Sequence, residues 1–481
     1  MGAEVWSPVD AIDEEAATLD RALPKVDRRL VAQVAQRVNA QLDAYTKSSA
    51  DPVSEDQQRQ LAMSLITTEI ETLAMTSARA GQSLMTAEQE QSLRGAVWAD
   101  MYGMGSVQDL VENNPDAEDI YIRGAHEVWV RFADGHHELR PPVADSNEEL
   151  VGILRRMATN LGQNERAVTS AQPFLDMRLP DGSRLAAAWG VTPEPHVTIR
   201  RHRFTDITLD RLARMGTVSP AMAAFLQAAI KARRSMLVVG PQSAGKTTLL
   251  RGLAQCVPQM ERWATIETEY ELLLHEIPGR WPKLMPFESR QGMGEVGANG
   301  RQAGEVALID IFPYALRHSL DRLCVGELRA AETIPTLMAM SRGLRGSLAT
   351  FHANSARDTF QALAATMAAY SVNWNRDAAM QQIATAIDII VFIDREDTAD
   401  GPVRIVKEIL EVGSGLSADA GIPDFVEIFK ADSAVEDHDP RGYPTGHHPQ
   451  ESLWARRVGF DLNWLDSGNG GWSVPFPRRL V

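Results

Sequence analysis

The stretch S-M-L-V-V-G-P-Q-S-A-G-K-T-T-L-L, Ser235 to Leu250, decides how this chain is read. Met236 to Val239 is a short strand of bulky and β-branched residues, Gly240 to Gly245 is a turn of mostly small ones, and Lys246 onward reads as the start of a helix. Strand, glycine-rich turn and helix in that order are the setting in which G-x-x-x-x-G-K-[ST] forms a P-loop. Backbone N–H groups of the turn and of the helix start make a concave donor site for an oligophosphate. The expected cradle is Gly240, Pro241, Gln242, Ser243, Ala244, Gly245, Lys246, Thr247 and Thr248. Lys246 adds a mobile positive charge for the outer phosphates, and the Thr247 hydroxyl suits magnesium.

Around the loop, β and α segments alternate. Helices are predicted over Pro220 to Arg233, Lys246 to Val257, Glu305 to His318, Ala331 to Gly343, Ala356 to Tyr370 and Arg376 to Ala386. Strands fall between them at Met236 to Val239, Arg262 to Glu267, Arg322 to Val325 and Gly346 to Thr350, with closing strands at Asp388 to Asp394 and Val403 to Val412. This order implies a largely parallel sheet covered on both faces, whose carboxyl edge is where ligands bind. Glu327 after L-C-V-G, Glu267 at the end of W-A-T-I-E and His352 in T-F-H-A-N-S all fall at that edge. A glutamate there can take a proton from water or orient it, or simply cap the next helix. A neutral imidazole can bond a γ-phosphate or join it to an acid, although Ser355 beside it also reads as a helix cap. Guanidinium groups to neutralise developing charge are available at Arg178, Arg184, Arg200 and Arg201 upstream and at Arg290, Arg317 and Arg329 within the core.

Upstream, apolar residues recur three or four apart over Leu23 to Lys47 and Glu55 to Arg79, and Thr86 opens a third helix that Gly103 to Gly105 end. A second unit from Val107 alternates as strands over Glu118 to Arg123, Glu127 to Phe132, Phe174 to Trp189 around Pro180-Asp181-Gly182, and Val197 to Arg201, with a helix at Glu148 to Gly162. The expected organisation is a helical region over 1–106 whose first residues are poorly ordered, an α+β domain over 107–202, a linker over 203–218, the nucleotide domain over 219–413 and a C-terminal extension over 414–481.

A length of 481 residues fits two or three domains, and a net charge of −16 argues against nucleic acid or an anionic membrane surface as the main partner. Cys256 and Cys324 lack metal spacing and fit reduced interior residues. No run is long and apolar enough for a membrane span, so a soluble cytoplasmic chain that reaches a membrane through protein partners is expected.

Taken together, these motifs resemble the secretion ATPase superfamily, in particular the CpaF-like ATPases of Tad pilus and of type II or type IV secretion systems. F-L-D-M-R-L-P-D-G-S-R at 174–184 and V-T-I-R-R at 197–201 are similar to its N-terminal domain signature. G-P-Q-S-A-G-K-T-T-L-L at 240–250 resembles Walker A, T-I-E-T-E-Y-E-L at 265–272 the Asp box, D-R-L-C-V-G-E-L-R at 321–329 an atypical Walker B, and G-S-L-A-T-F-H-A-N-S at 346–355 the His box. The resemblance implies an α/β, RecA-like P-loop ATPase core with a preceding α+β domain, bound ATP and Mg2+, and a ring of six chains serving an inner-membrane pilus or secretion platform. It also implies that Glu327 belongs to Walker B, Glu267 is the Asp-box acid, His352 senses the γ-phosphate, and Arg184, Arg200 and Arg178 reach the nucleotide from the upstream domain. Thr268 stands where the family has aspartate, and a run from Ser289 to Gly304 reads as an insertion. A DNA-translocating motor and a weakly hydrolysing regulatory adaptor are the competing readings.

Overall fold

The computed structural model describes residues 27–49, 53–81, 83, 85–132, 134–161, 173–201, 207–290, 292–297, 300–399, 401–418, 421–431, 439–450, 452–473 and 475–477. Its chain divides into two compact units, Met1–Phe132 with His136–Arg201, and Ala133–Gly135 with His202–Val481. The acidic start expected to be poorly ordered lies outside the described residues.

In the first unit, helices Arg28–Ser48, Glu55–Arg79 and Ala87–Tyr102 pack around Val34, Val38, Ile66, Ile70, Leu93 and Val97. Ser54 and Thr86 start the second and third of these with capping boxes, each closed by a glutamine three residues on, Gln57 and Gln89. Six antiparallel strands follow: β1 (Ala117–Arg123), β2 (Glu127–Phe132), β3 (His137–Arg140), β4 (Phe174–Arg178), β5 (Arg184–Ala188) and β6 (His196–Arg200), in the order β3-β2-β1-β6-β5-β4. Their period of two turns Ile120, Val130, Leu185 and Ile199 inward to a core shared with Ile153, Leu154 and Met157 of helix Asn147–Asn160. The short polar edge strand β3, H-E-L-R, carries no apolar alternation to announce it.

The second unit is built on a nine-stranded sheet. In chain order its strands are β7 (Met236–Gly240), β8 (Trp263–Glu267), β9 (Leu284–Glu288), β12 (Arg322–Leu328), β13 (Leu348–His352), β14 (Ile389–Thr398), β15 (Gly401–Leu416), β16 (Pro423–Ala431) and β17 (Gly442–Pro444). A separate hairpin, β10 (Met293–Val296) with β11 (Gln302–Ala303), occupies the insertion-like run. The order across the large sheet is β17-β16-β15-β14-β7-β13-β12-β8-β9. Pairs from β14 through to β9 are parallel, and those from β14 out to β17 are antiparallel. The inner parallel strands β7, β8 and β13 are buried on both faces, as their apolar runs require, with Met236 and Val238 in one core and Leu237 and Val239 in the other.

Two elements of this unit depart from the sequence reading. The stretch read as a linker contains helix Leu209–Arg214, capped by Thr208, with Leu209 and Leu212 buried. Strand β9 contains Pro286, which is tolerated because β9 is the sheet's edge and no ladder N–H is lost on its open side. The C-terminal segment folds back on the same core: the rings of Phe429, Trp454 and Phe460 stand 5.7–5.8 Å from that of Phe225, edge to face. Trp454 also donates to Glu411 Oε1 at 3.2 Å.

Candidate functional site

The carboxyl ends of β7, β13, β12 and β8 converge around the loop 240–245. Close packing explains its glycines. A Cβ at Gly240 would stand 2.0 Å from the Ile393 carbonyl oxygen, and Gly245 adopts φ 92°. Ser243 also has positive φ, at 62°, and the helix Lys246–Ala254 begins directly after the turn. A tight turn whose donors run into a helix N-terminus is the shape an oligophosphate fits.

Lys246 is 7% exposed and its Nζ is held among three polar neighbours. It donates to the carbonyls of Gly240 at 3.1 Å and Pro241 at 2.8 Å, and lies 3.1 Å from His352 Nδ1. Register places that histidine, because His352 pairs with Gly240 across β13 and β7. Its other ring nitrogen, Nε2, lies 2.6 Å from Glu327 Oε1 on β12. Burial, and next the Lys246 charge, hold the His352 pKa below the ordinary histidine value, while the Glu327 carboxylate pulls the other way. Glu327 is also paired with Arg329. The following helix, Thr333–Ser341, begins at Glu332 without a side-chain cap, and Glu332 Oε1 accepts instead from the N–H groups of Arg329 and Ala330 in the turn ahead of it.

Glu267 ends β8 in the expected place, but its carboxylate is only 2% exposed. Oε2 accepts from the N–H groups of Glu271 and Leu272, both at 2.8 Å, so the side chain braces the turn that follows its own strand. Burial raises its pKa to about 7, against the lowering effect of those two N–H groups. The carboxylate that reaches the helix start is Glu271, whose Oε2 accepts from Thr247 Oγ1 at 3.2 Å. Arg251, buried beneath them, donates to the Glu271 carbonyl. Sequence reasoning missed Glu271; the available signal was its place four residues after Glu267, within reach if the segment turns back.

The remaining arginines divide. Arg329 is at the site, whereas Arg290 donates to the Gly304 carbonyl at 2.7 Å and Arg317 lies over the Tyr314 ring. Arg178, Arg184 and Arg200 belong to the first unit and form a row, since Arg178 pairs with Arg184 and Arg184 with Arg200 across β4, β5 and β6. Residues in register share one face, here the one opposite Met177, Leu185 and Ile199. The row continues into Asp119 and Arg131, which form an ion pair.

Thr247 is the hydroxyl suited to magnesium, a hard-oxygen ligand beside a carboxylate. Among the described residues no cluster of three or more His, Cys, Asp or Glu could hold a metal.

Residues 100–396 match the family described as type II/IV secretion system protein. A putative conjugal transfer protein of Mycobacterium tuberculosis is 29% identical over 306 residues, covering 62% of this chain and 82% of that one. Protein VirB11 of Agrobacterium fabrum is 28% identical over 339 residues, covering 64% and 91%. The solved structure of the VirB11 ATPase from the Brucella suis type IV secretion system has a TM-score of 0.33 at 22% identity, covering 66% of this chain and 96% of that one. The match spans more than half of the sequence and takes in the P-loop, Glu327 and His352, so the chain belongs to the type II/IV secretion system protein family.

Proposed function

We propose that ATP is held by residues 240–248, that Glu327 orients the attacking water and takes its proton, and that a ring of six such chains moves a membrane-embedded pilus or secretion platform. What carries this reading is the line from Lys246 through His352 to Glu327 across the ends of three neighbouring strands. Attack forms a bond from the water oxygen to the γ-phosphorus and breaks the bond to the bridging oxygen of ADP, with the water's proton passing to Glu327. Lys246, now held by loop carbonyls and His352, turns its charge to the phosphates. His352 keeps Glu327 in place through Nε2–H. Magnesium, held with ATP at Thr247, would neutralise charge on the β- and γ-phosphate oxygens. Arg178, Arg184 and Arg200, on their shared face, are the proposed additional positive charge for the phosphates.

The acidic charge balance favours a protein partner over nucleic acid. The net charge is −16, and among the described residues no helix is long and apolar enough to cross a membrane. Steady-state phosphate release tests the reading: stimulation by a solubilised inner-membrane fraction and not by single-stranded DNA is expected. Stimulation by DNA alone would replace the platform with a nucleic-acid track.

A further inference from the structure

Arg404 reaches the P-loop from its flank, on β15 and beyond the residues that match the family, 100–396. Register explains how it gets there. β14 runs beside β7 from Ile389 to Phe392, and the β14–β15 hairpin then continues past the end of β7, with Arg395 opposite Arg404. Arg404 Nε donates to the carbonyl of Ser243 at 3.1 Å. Its stem lies so close that a Cβ on Gly245 would stand 3.0 Å from Arg404 Cδ.

The carbonyl it holds belongs to a residue under strain. Ser243 has φ 62°, in the left-handed region that a side-chain-bearing residue rarely adopts. In a trans peptide the carbonyl and the following N–H point in opposite directions. Fixing the Ser243 oxygen toward Arg404 therefore fixes the Ala244 N–H away from it. That N–H has only a long contact, 3.4 Å, with the Pro241 oxygen, which Lys246 also bonds at 2.8 Å. It is thus a donor with a weak present partner, on a peptide whose orientation a guanidinium fixes.

We infer that Arg404 is a positioning residue for the phosphate cradle: it holds the Ser243–Ala244 peptide so that the Ala244 N–H is turned to the inside of the loop. The inference rests on the reading of this loop as the nucleotide site. Loop amides serve the phosphates that ADP and ATP share, whereas the chemistry lies toward Glu327. Loss of Arg404 should therefore weaken both nucleotides alike and leave the chemical step nearly untouched.

The test compares the full chain with Arg404→Gln, measuring affinity for a fluorescent ADP and a non-hydrolysable ATP analogue, KM and kcat for ATP, and the nucleotide-free melting temperature. Arg395→Gln, which removes a neighbour whose side chain bonds Asp397 on its own strand, is the control for the hairpin. The expected result for Arg404→Gln is about a tenfold loss for both nucleotides, the scale of one charge-assisted hydrogen bond. KM should rise in proportion, kcat should stay within about twofold, and Arg395→Gln should bind as the wild type does. Should Arg404→Gln melt early, Arg404→Met keeps the stem against Gly245 without the donor and carries the same comparison. Unchanged affinity, a fall in kcat at constant KM, or an equal loss in Arg395→Gln would overturn the inference alone. A wild-type chain that binds neither nucleotide would overturn the P-loop reading with it.

Discussion

Lys246 Nζ lies 3.1 Å from His352 Nδ1, a contact that sets the state of the whole site. A hydrogen bond at this contact requires Nδ1 to accept, since an ammonium can only donate, and with it a neutral ring whose hydrogen is on Nε2. In that state Nε2, 2.6 Å from Glu327 Oε1, donates to it. One imidazole thus links the lysine proposed to bind phosphate to the glutamate proposed to meet water, and protonating it at Nδ1 breaks the first contact.

The linkage predicts the acid limb of activity. The His352 pKa lies below the ordinary 6.5, so the neutral ring persists as pH falls below that value and is lost only on further acidification. The acid limb of kcat/KM should therefore have its midpoint below pH 6.5, and His352→Gln should remove the limb assigned to this ring. A limb at or above pH 6.5, or one unchanged in His352→Gln, would contradict the assignment.

The Thr247–Glu271 contact predicts a role in metal affinity. With its carboxylate 3.2 Å from the hydroxyl suited to magnesium, Glu271 should favour the ion electrostatically. Glu271→Ala should raise the magnesium concentration for half-maximal turnover about tenfold while leaving the affinity for metal-free ADP within about twofold. A titration of turnover against magnesium checks this, and an unchanged midpoint counts against it.

For Glu267 the prediction concerns stability. Its pKa rises from 4.5 to about 7 on folding, so the folded chain holds the extra proton between those values. Stability from this group is complete below the unfolded pKa and is lost as pH rises through about 7. Across that window the loss is roughly 3–4 kcal/mol at most. Glu267→Gln cannot ionise, so the melting temperature of the variant relative to wild type should be higher at pH 8 than at pH 5. A difference independent of pH would show that Glu267 is ionised throughout.

Much of this site is legible in the sequence because its determinants are local. Gly240, Gly245 and Lys246 are spaced by the loop's own geometry, and Glu327 and His352 each follow an apolar run that ends at the sheet's carboxyl edge. Glu271 is not legible in this way, since it lies in an irregular segment whose path depends on Glu267 accepting two backbone bonds. The same holds for the sheet's margins. Pro286 argues against a strand until β9 is known to be an edge, and helix Leu209–Arg214 is too short for its period to stand out. Trp454 and Phe460 find Phe225 across more than two hundred residues, a pairing that no local pattern encodes.

The most direct test of the account is phosphate release by Glu327→Gln beside wild type, at saturating ATP and magnesium, with nucleotide affinity measured on the same samples. The substitution keeps the side chain's size and its acceptor for His352 but removes the base. The expected result is turnover lower by about a hundredfold or more, the usual scale for losing a positioned general base, with ATP bound as tightly as before. Equal turnover in the two proteins would contradict the assignment of Glu327 to the attacking water.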